Sequence, residues 1–382
     1  MLKIFTQFLL LGLVSFGGPA AHIGYFRKTF VEKLKWVEPH EYGSYVALSQ
    51  FLPGPGSSQV GFAIGYHKGG ILGAIAAFIG FTLPSFLLLY VIAISSQAWL
   101  EQSLFIGMIH GLKLLAVIVV ADAILTMYRQ FCLTWQSKVI LLVSSVLSIA
   151  FSQSLMQIAL LVVAALIGAT VLKQAPQTTP SPKGKVNMAA LIAFLGLVLL
   201  SVYGLSSQGL TRTFADFFQA GSLVFGGGHV VLPLLESSVS GSMSAERFLT
   251  GYALAQAVPG PMFTLAAFLG AELHPQSALM GALVATIALF LPGLLLLLVI
   301  LNRWRSLSQQ PRVNGALIAI NACVVGFLIA AFYSPVATSA LLSWLDYLLV
   351  IAGFVWLQKF KPNIVLLVLA AALAGVAMVW FS

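Results

Sequence analysis

The chain has 382 residues, of which 60% are hydrophobic and 8% are charged, with a mean hydropathy of +1.01. Soluble domains carry about a quarter charged residues, so this composition excludes a soluble globular protein and predicts an all-α polytopic membrane protein. The net charge of +9 does not indicate a nucleic-acid partner. The Lys and Arg residues lie in short loops between apolar segments, where the positive-inside rule accounts for them.

The apolar segments fall into two groups separated by one polar run. The first group is 4–16, 41–52 with 57–66, 70–94, 103–128, 138–151 and 153–172. The second group is 188–205, 214–226, 247–258 with 262–271, 276–301, 313–333, 338–357 and 363–381. We predict a first repeat at 1–172, a cytoplasmic linker at 173–187, a connecting transmembrane helix at 188–205 and a second repeat at 206–382. The linker prediction rests on its Pro, Thr, Lys and Gln content.

Four short Gly/Pro-rich interruptions divide the apolar segments, and we number them as breaks 1 to 4. They are Phe16-Gly17-Gly18-Pro19, Pro53-Gly54-Pro55, Phe225-Gly226-Gly227-Gly228 and Pro259-Gly260-Pro261. Proline removes a backbone donor and disfavours helical geometry in the preceding residue, so no continuous helix passes through breaks 2 and 4. Broken backbone at membrane depth is tolerated only where protein or a water-filled cavity surrounds it.

The breaks recur in the same order in both halves, which indicates a duplicated unit. Break 3 echoes break 1 and break 4 echoes break 2. Two further landmarks recur: Leu291-Pro292 echoes Leu83-Pro84, and Asn314-Gly315 echoes His110-Gly111. Paired Gly/Pro-interrupted segments in corresponding places of two halves are the best sequence indication of a transporter's binding site.

Two topologies fit these segments. In the preferred one, the short segments around each break form re-entrant hairpins, because they are shorter than a spanning helix requires. This topology leaves Arg212 and Arg247 as the only loop basic residues on one side. In the alternative, every broken segment crosses the membrane, and the charge asymmetry is smaller. In both topologies each half crosses the membrane an even number of times and the connecting helix adds one crossing. Both therefore predict inverted-topology repeats. The positive-inside rule places the N-terminus and the linker in the cytoplasm.

The helices that restart after the breaks offer unpaired N–H groups and a partial positive charge, which together favour an anion. The side chains near the breaks are donors rather than acids. The candidate substrate-binding residues are Gly17, Gly18, His22, Gln50, Gly54, Ser57, Ser58, Gln59, Gly227, Gly228, His229, Gln256, Gly260 and Thr264. The alternative is that the glycines and prolines only allow close packing and kinks. His22 and His229 are interpreted as anion donors or titrating groups, or as bonds between helices.

Three charged residues are candidates for the substrate path or for coupling. Arg27 could form the entrance of an anion path or could anchor the chain at the cytoplasmic surface. Lys113 and Asp122 lie inside an apolar segment, where ionisable groups are costly and indicate function by default. Asp122 is expected to pair with a cation on another helix.

Signatures of enzymes are absent from the sequence. It contains no nucleophile elbow, no zinc-protease motif and no phosphate-binding loop. Cys132 and Cys323 lack the spacing of metal ligands, so no metal or cofactor is expected. Without a nucleotide-binding domain, any driving force for transport comes from gradients.

The motifs resemble those of the chromate ion transporter (CHR) family. Phe16-Gly17-Gly18-Pro19-Ala20-Ala21-His22-Ile23-Gly24-Tyr25, followed by Leu48-Ser49-Gln50 and break 2, is similar to the first-half signature. Phe225-Gly226-Gly227-Gly228-His229-Val230-Val231-Leu232-Pro233-Leu234, followed by Ala255-Gln256 and break 4, is similar to the second-half signature. The resemblance covers nearly the whole chain and implies the two-domain form of the family. One departure is Met243, where a counterpart of Trp36 is expected.

The resemblance implies export of chromate from the cytoplasm across the inner membrane, and resistance to chromate. The expected partners are chromate and membrane lipid, with sulfate as an alternative substrate, and a homodimer is left open. A second hypothesis is an exchanger for sulfate or another oxyanion. A third is an intramembrane enzyme or a lipid-headgroup scramblase that uses His22 and His229 on a phosphate.

Overall fold

The computed structural model describes residues 1–99, 102–151, 154–172, 186–225, 230–301, 303–304 and 310–381. These residues form helices and connecting turns without a β-strand. In chain order the helices are α1 (Leu2–Val14), α2 (Gly18–Phe26), α3 (Pro39–Phe51), α4 (Gly56–Trp99), α5 (Ser103–Phe131), α6 (Trp135–Ala150), α7 (Ser154–Val171), α8 (Met188–Gly204), α9 (Leu210–Leu223), α10 (Val231–Val239), α11 (Ala245–Ala257), α12 (Leu265–Leu273), α13 (Ala278–Ile300), α14 (Pro311–Ala331), α15 (Trp344–Phe360) and α16 (Ile364–Phe381).

Several helices depart from regular α geometry at points that shape the fold. A π-helical stretch, Arg27–Lys33, continues α2, and another, Phe332–Ala337, continues α14. The backbone of α4 is non-helical at Gly69 and Gly70, where φ is −152° and 60°. Helix α4 therefore consists of a short first limb and a long second limb that meet at this kink.

Four helical segments of the described chain are long and apolar enough to cross a membrane. They are Gly56–Ser95, Ser103–Phe131, Pro275–Ile300 and Pro311–Ala340. Together with the shorter apolar helices, they confirm the prediction of an all-α polytopic membrane protein. A spanning helix needs about 20 apolar residues. In Gly56–Ser95 the second limb of α4, after Gly70, is long enough alone and matches the predicted stretch 70–94.

Helices α1 and α2 form a hairpin that turns at break 1. A Cβ atom added at Gly69 would lie 2.7 Å from the Met1 side chain, so α1 begins beside the kink of α4. After α2, the chain returns to the same place, because the Lys68 ammonium lies 5.8 Å from the centroid of the Trp36 ring. The chain therefore enters and leaves this hairpin at one end of the bundle.

Helix α3 and the first limb of α4 form a second hairpin, which turns at break 2. Near the turn, a Cβ atom at Gly56 would lie 3.5 Å from the Ser49 carbonyl oxygen. Further along, the Tyr45 hydroxyl lies 3.2 Å from His67 Nδ1, close to the kink of α4. Both hairpins thus return to the end where the chain begins, which is the form expected of re-entrant segments.

The second repeat has the same construction around break 4. At the far end of this hairpin, the guanidinium of Arg247 on α11 bonds both carboxylate oxygens of Glu272 on α12, with Nε–Oε2 at 2.9 Å. Nearer the turn, a Cβ atom at Gly251 would lie 2.4 Å from the Phe268 ring. The side chains of Arg247 and Glu272 are only 16% and 12% exposed. Arg247 is therefore part of a buried ion pair and not a solvated loop residue.

The later helices of the two repeats pack reciprocally. Gly168 on α7 meets Gly315 on α14, and Gly375 on α16 meets Gly107 on α5, with backbones so close that an added Cβ would lie 2.2 and 2.0 Å from the opposite carbonyl oxygens. The last helix of each repeat therefore packs against a helix of the other repeat. The sequence comparison aligned Gly111 of the first repeat with Gly315 of the second. Gly107, not Gly111, makes the contact that corresponds to that of Gly315, so the alignment is wrong by one helical turn.

The second repeat runs in the opposite direction to the first. Helix α3 begins near the kink of α4, where the chain starts. Its counterpart α11 begins at the opposite end of the bundle. There Glu246 of α11 bonds Lys113 of α5, and α5 starts beside the other end of α4. Helix α8 occupies the segment predicted to connect the repeats. Most of the predicted linker, 173–185, lies outside the described residues.

Candidate functional site

Breaks 2 and 4 each bond, in the interior, the described residue that precedes a break of the opposite repeat, and the two hydrogen bonds are reciprocal. The Gly54 N–H of break 2 donates to the carbonyl of Val224, just before break 3, at 2.7 Å. The Gly260 N–H of break 4 donates to the carbonyl of Ser15, just before break 1, at 2.8 Å. Gly54 corresponds to Gly260 and Val224 to Ser15, so the two bonds are related by the repeat symmetry. Each repeat is tied to the other at its break.

Close packing accompanies these two bonds. A Cβ atom on Gly54 would lie 2.8 Å from the Gly293 Cα, and one on Gly260 would lie 2.7 Å from Ser85 Oγ. Gly54 and Gly260 have φ values of 117° and 106°, which favour glycine. Both break glycines are thus required by backbone conformation and by space.

Gly54 and Gly260 are predicted substrate-binding residues, but their backbone amides are not free to bind an anion in this structure. Their N–H groups are occupied by carbonyls of the opposite repeat in this conformation. The Thr264 hydroxyl is also occupied, because it donates to the carbonyl of Pro261 at 2.6 Å. These three residues stabilise the junction of the breaks and do not offer donors to a ligand.

A small cavity of about 50 Å³ lies where break 1 faces break 4, and we call it the break cavity. Its lining consists of Gly17, Gly18, Val119, Ala255, Gln256, Val258, Gly260, Met262 and Ile364. A buried water needs roughly 10–15 Å³ of such space, so the break cavity has room for a small polyatomic ion.

Break 1 directs donors toward this cavity. Gly17 and Gly18 have φ values of 99° and 71°, and no hydrogen-bond partner of their N–H groups is found among the described residues. Helix α2 begins at Gly18 with no side chain capping its N-terminus. The first N–H groups of a helix lack internal partners and carry part of the positive end of the helix dipole. This edge of the break cavity therefore suits an anion.

Gln256 lies on the opposite wall of the break cavity. Its side chain is hydrogen-bonded to Tyr252, one turn earlier on α11, and its Nε2 lies 3.7 Å from Met262 Sδ. Tyr252 is fully buried, so it holds the amide in a defined place. Gln256 thus brings a neutral amide, able to donate, to a cavity whose described lining residues include no acid.

His22 connects three of the breaks. Its Nε2 lies 3.1 Å from the Ser15 carbonyl, which also accepts from Gly260, and its Nδ1 lies 3.1 Å from Ser57 Oγ. A carbonyl can only accept, so Nε2 carries the proton, and Nδ1 accepts from the Ser57 hydroxyl. The ring is fully buried and neutral in this arrangement. His22 therefore positions break 1 against break 4 and the start of α4.

Replacing His22 by alanine is expected to destabilise the protein by about 1–3 kcal/mol, because the Ser57 hydroxyl loses its acceptor and the Ser15 carbonyl loses one donor. Thermal unfolding of the purified protein in detergent measures the effect. His22→Gln serves as the matched control, since an amide can replace both hydrogen bonds and should recover much of the loss. Equal melting temperatures for His22→Ala and wild type would contradict this positioning role.

Gln59 and Ser58 are buried behind break 2. Gln59 Nε2 donates to the carbonyls of Pro53 and Gly293, each at 2.9 Å, and so joins break 2 to α13. Gln59 Oε1 and Ser58 Oγ are buried and lack a partner among the described residues. Buried polar atoms without partners are uncommon and call for an explanation, such as a ligand or water.

Sequence reasoning missed four residues at this junction. Ser15 and Thr82 have buried hydroxyls without a partner in the described chain, and Ser85 and Gly293 pack directly on break 4 and break 2. Ser15 directly precedes break 1, and this position could have identified it. Ser85 and Gly293 directly follow the repeated Leu-Pro pair. The repeat indicated that these positions correspond, but not that they contact the breaks.

Of the remaining candidate substrate residues, the structure describes only Gln50, which does not line the break cavity. Gln50 is exposed at the end of α3. Gly227, Gly228 and His229 lie outside the described residues, so their prediction stays as made.

The three predicted path residues have separate surroundings. Arg27 is exposed and lies 3.5 Å from Glu32, as a surface anchor would. Asp122 accepts a hydrogen bond from the Gln358 amide, so its partner on another helix is an amide rather than the expected cation. Lys113 is buried and pairs with Glu246 at 3.1 Å.

The fold and the breaks together define a class of protein. A polytopic helical protein in which broken helices from two inverted repeats meet in the interior has the architecture of a secondary transporter. The family model described as chromate transporter matches residues 2–172 and 211–376, which cover most of both repeats. The chain belongs to the chromate transporter family, and this membership supports transport of chromate.

Similarity to individual transporters extends along most of the chain. An uncharacterized transporter of Methanocaldococcus jannaschii is 29% identical over 384 residues, covering 98% of this chain and 93% of the relative. A probable chromate transport protein of Synechococcus elongatus is 30% identical over 345 residues, covering 86% and 84%. A chromate transport protein of Pseudomonas aeruginosa is 28% identical over 392 residues, covering 98% and 91%. No solved structure matches the chain.

Proposed function

We propose that this protein exports chromate from the cytoplasm and binds it in the break cavity. The observation that carries the proposal is that the Gly17 and Gly18 amides, which have no partner in the described part of the chain, face Gln256 across one small cavity. Chromate is a tetrahedral dianion, and backbone amides at a helix N-terminus bind such oxyanions without a fixed positive side chain. Family membership favours chromate over other ligands of the same shape.

The Ser15 hydroxyl is a further donor that we propose for the anion, although Ser15 does not line the break cavity itself. The Ser15 side chain is buried and finds no partner among the residues that the structure describes, and the Ser15 carbonyl is bonded to Gly260 on the cavity wall. A buried hydroxyl loses free energy when it has no hydrogen bond, so an anion that accepts from Ser15 gains in affinity. We therefore add Ser15 to the residues proposed to contact the substrate.

The membrane potential is sufficient to drive the proposed export. Moving one charge across the membrane is worth about 2.3 kcal/mol per 100 mV, so a dianion that leaves a negative interior gains about 4.6 kcal/mol. This gain corresponds to a concentration ratio above roughly a thousandfold. Export therefore needs no coupled ion, whereas uptake needs several. The proposal includes an inner-membrane location with the N-terminus and the linker in the cytoplasm.

Uptake of radiolabelled chromate into everted membrane vesicles tests this function. An inside-positive potential should drive accumulation in vesicles that contain the protein, and collapsing the potential should abolish it. Vesicles from cells without the protein are the control. Absence of potential-driven accumulation would overturn export by this mechanism.

The same assay distinguishes chromate from sulfate as substrate. Both are tetrahedral dianions of similar size, and amides and hydroxyls discriminate poorly between them. We expect unlabelled sulfate to slow chromate uptake. Faster chromate uptake into vesicles preloaded with sulfate would instead favour an exchanger.

A further inference from the structure

A second and much larger cavity lies between the repeats, and we call it the charged cavity. It has a volume of about 930 Å³ and is formed by α5, α11, α15, α16 and the turn between α14 and α15. Its polar lining residues are His110, Lys113, Glu246, Thr250, Ser339, Ser343 and Asp346. A cavity of this size has room for several hydrated ions, and none of the described break residues belongs to its wall.

The charged cavity and the break cavity lie along the same helices. On α5, Lys113 lines the charged cavity and Val119 lines the break cavity, six residues further along. At 1.5 Å per residue, this separation is about 9 Å along the helix. On α11, Thr250 lines the charged cavity and Ala255 lines the break cavity. The charged cavity is therefore displaced from the break cavity by one to two helical turns toward the start of α11, the end of the bundle opposite to Met1.

The ion pair in the charged cavity is unequal in burial. Lys113 Nζ lies 3.1 Å from Glu246 Oε1, but the Lys113 side chain is 7% exposed and the Glu246 side chain is 78% exposed. A buried ammonium without a counter-charge is costly, whereas an exposed carboxylate is well solvated alone. Glu246 can leave the pair for water at small cost, but Lys113 always needs an anion beside it.

The other charged groups of the charged cavity are already satisfied. Asp346 is 1% exposed and caps the start of α15. One of its oxygens accepts from His110 Nε2 at 2.7 Å, and the other accepts from the N–H groups of Leu342 and Ser343 and from the Ser343 hydroxyl. Charge-assisted hydrogen bonds of this kind offset the negative charge locally. Lys113 is consequently the group in this wall whose partner is exchangeable.

We propose that the charged cavity holds a second anion-binding site, in which Lys113 takes over the tetrahedral oxyanion as it leaves the break cavity. The arriving dianion replaces Glu246 on the ammonium, and Glu246 returns when the anion departs into the cavity. Nothing covalent changes in this exchange. The proposal rests on the proposed function and extends it, because it names where the substrate binds after the breaks.

Swapping the charges of Lys113 and Glu246 by mutation distinguishes a role in anion binding from a purely structural ion pair. We expect Lys113→Gln to lower chromate uptake by everted vesicles about tenfold, since a charge-assisted contact is lost. The double variant Lys113→Glu with Glu246→Lys keeps an ion pair but places the negative group at the buried position. It should be no more active than Lys113→Gln. Recovery of the wild-type rate by the double variant would overturn the proposal.

Binding of radiolabelled chromate to the purified full-length protein gives a second readout. Glu246→Gln removes the competitor of the anion and should tighten binding about fivefold, while Lys113→Gln should weaken it. If wild-type protein neither binds nor transports chromate, the proposed function itself is wrong. If wild type transports chromate and Lys113→Gln matches it in both binding and rate, only the second site is wrong.

Discussion

Replacing Gly54 by alanine is expected to abolish chromate transport and to destabilise the protein by about 2–6 kcal/mol. Two costs add at this position. The φ value of 117° is strained for any residue with a Cβ atom, and that atom would lie 2.8 Å from the Gly293 Cα. The nearest atom belongs to backbone, which cannot move away as the end of a flexible side chain can. The shift also pulls the Gly54 N–H from the Val224 carbonyl, which ties the repeats together.

Matched glycine variants make this prediction specific. Gly43→Ala is the control on the preceding helix, because no atom lies within 4 Å of an added Cβ there. Gly260→Ala should be milder than Gly54→Ala, since its clash is with the Ser85 side chain, and Ser85→Gly should partly restore it. Thermal unfolding and vesicle uptake measure the series. Wild-type stability of Gly54→Ala would contradict the interlocked arrangement of the breaks.

Local chemistry made much of the fold predictable from the sequence. Proline and glycine have strong backbone preferences, so Pro53-Gly54-Pro55 and its counterpart in the second half had to interrupt helices wherever they lay. Apolar length identified the long helices, and the inverted repeat followed from an even number of crossings plus one connecting helix. These inferences depend on short stretches of chain and do not require knowledge of tertiary contacts.

The partners of the breaks could not be predicted in the same way. The sequence shows that Gly54 and Gly260 are equivalent, but not that each donates to a carbonyl of the opposite repeat, because that contact joins residues far apart in the chain. Arg247 and Glu272 illustrate the same limit, since the sequence places both near loops and the fold buries them as a pair. Pairing across repeats depends on the packing of whole helices.

Changing Gln256 to glutamate is expected to lower chromate transport about a hundredfold or more. The new carboxyl group occupies the same volume as the amide, so packing against Tyr252 and Met262 is retained. A negative charge within a few ångströms of a dianion in a partly buried site costs several kcal/mol, and each 1.4 kcal/mol is about a tenfold loss of affinity. Initial rates in everted vesicles, compared at equal amounts of protein, measure the loss.

Two control variants assign the loss to charge at the break cavity. Gln256→Met has similar length without charge, and we expect a decrease of about tenfold at most, because only one hydrogen bond to the anion disappears. Gln208→Glu adds the same charge at an exposed position outside the break cavity and should transport like wild type. If Gln256→Glu and Gln256→Met lose activity equally, the side chain acts through packing and the anion binds elsewhere. A graded loss, with Glu far below Met, requires the substrate to pass beside Gln256 as an anion.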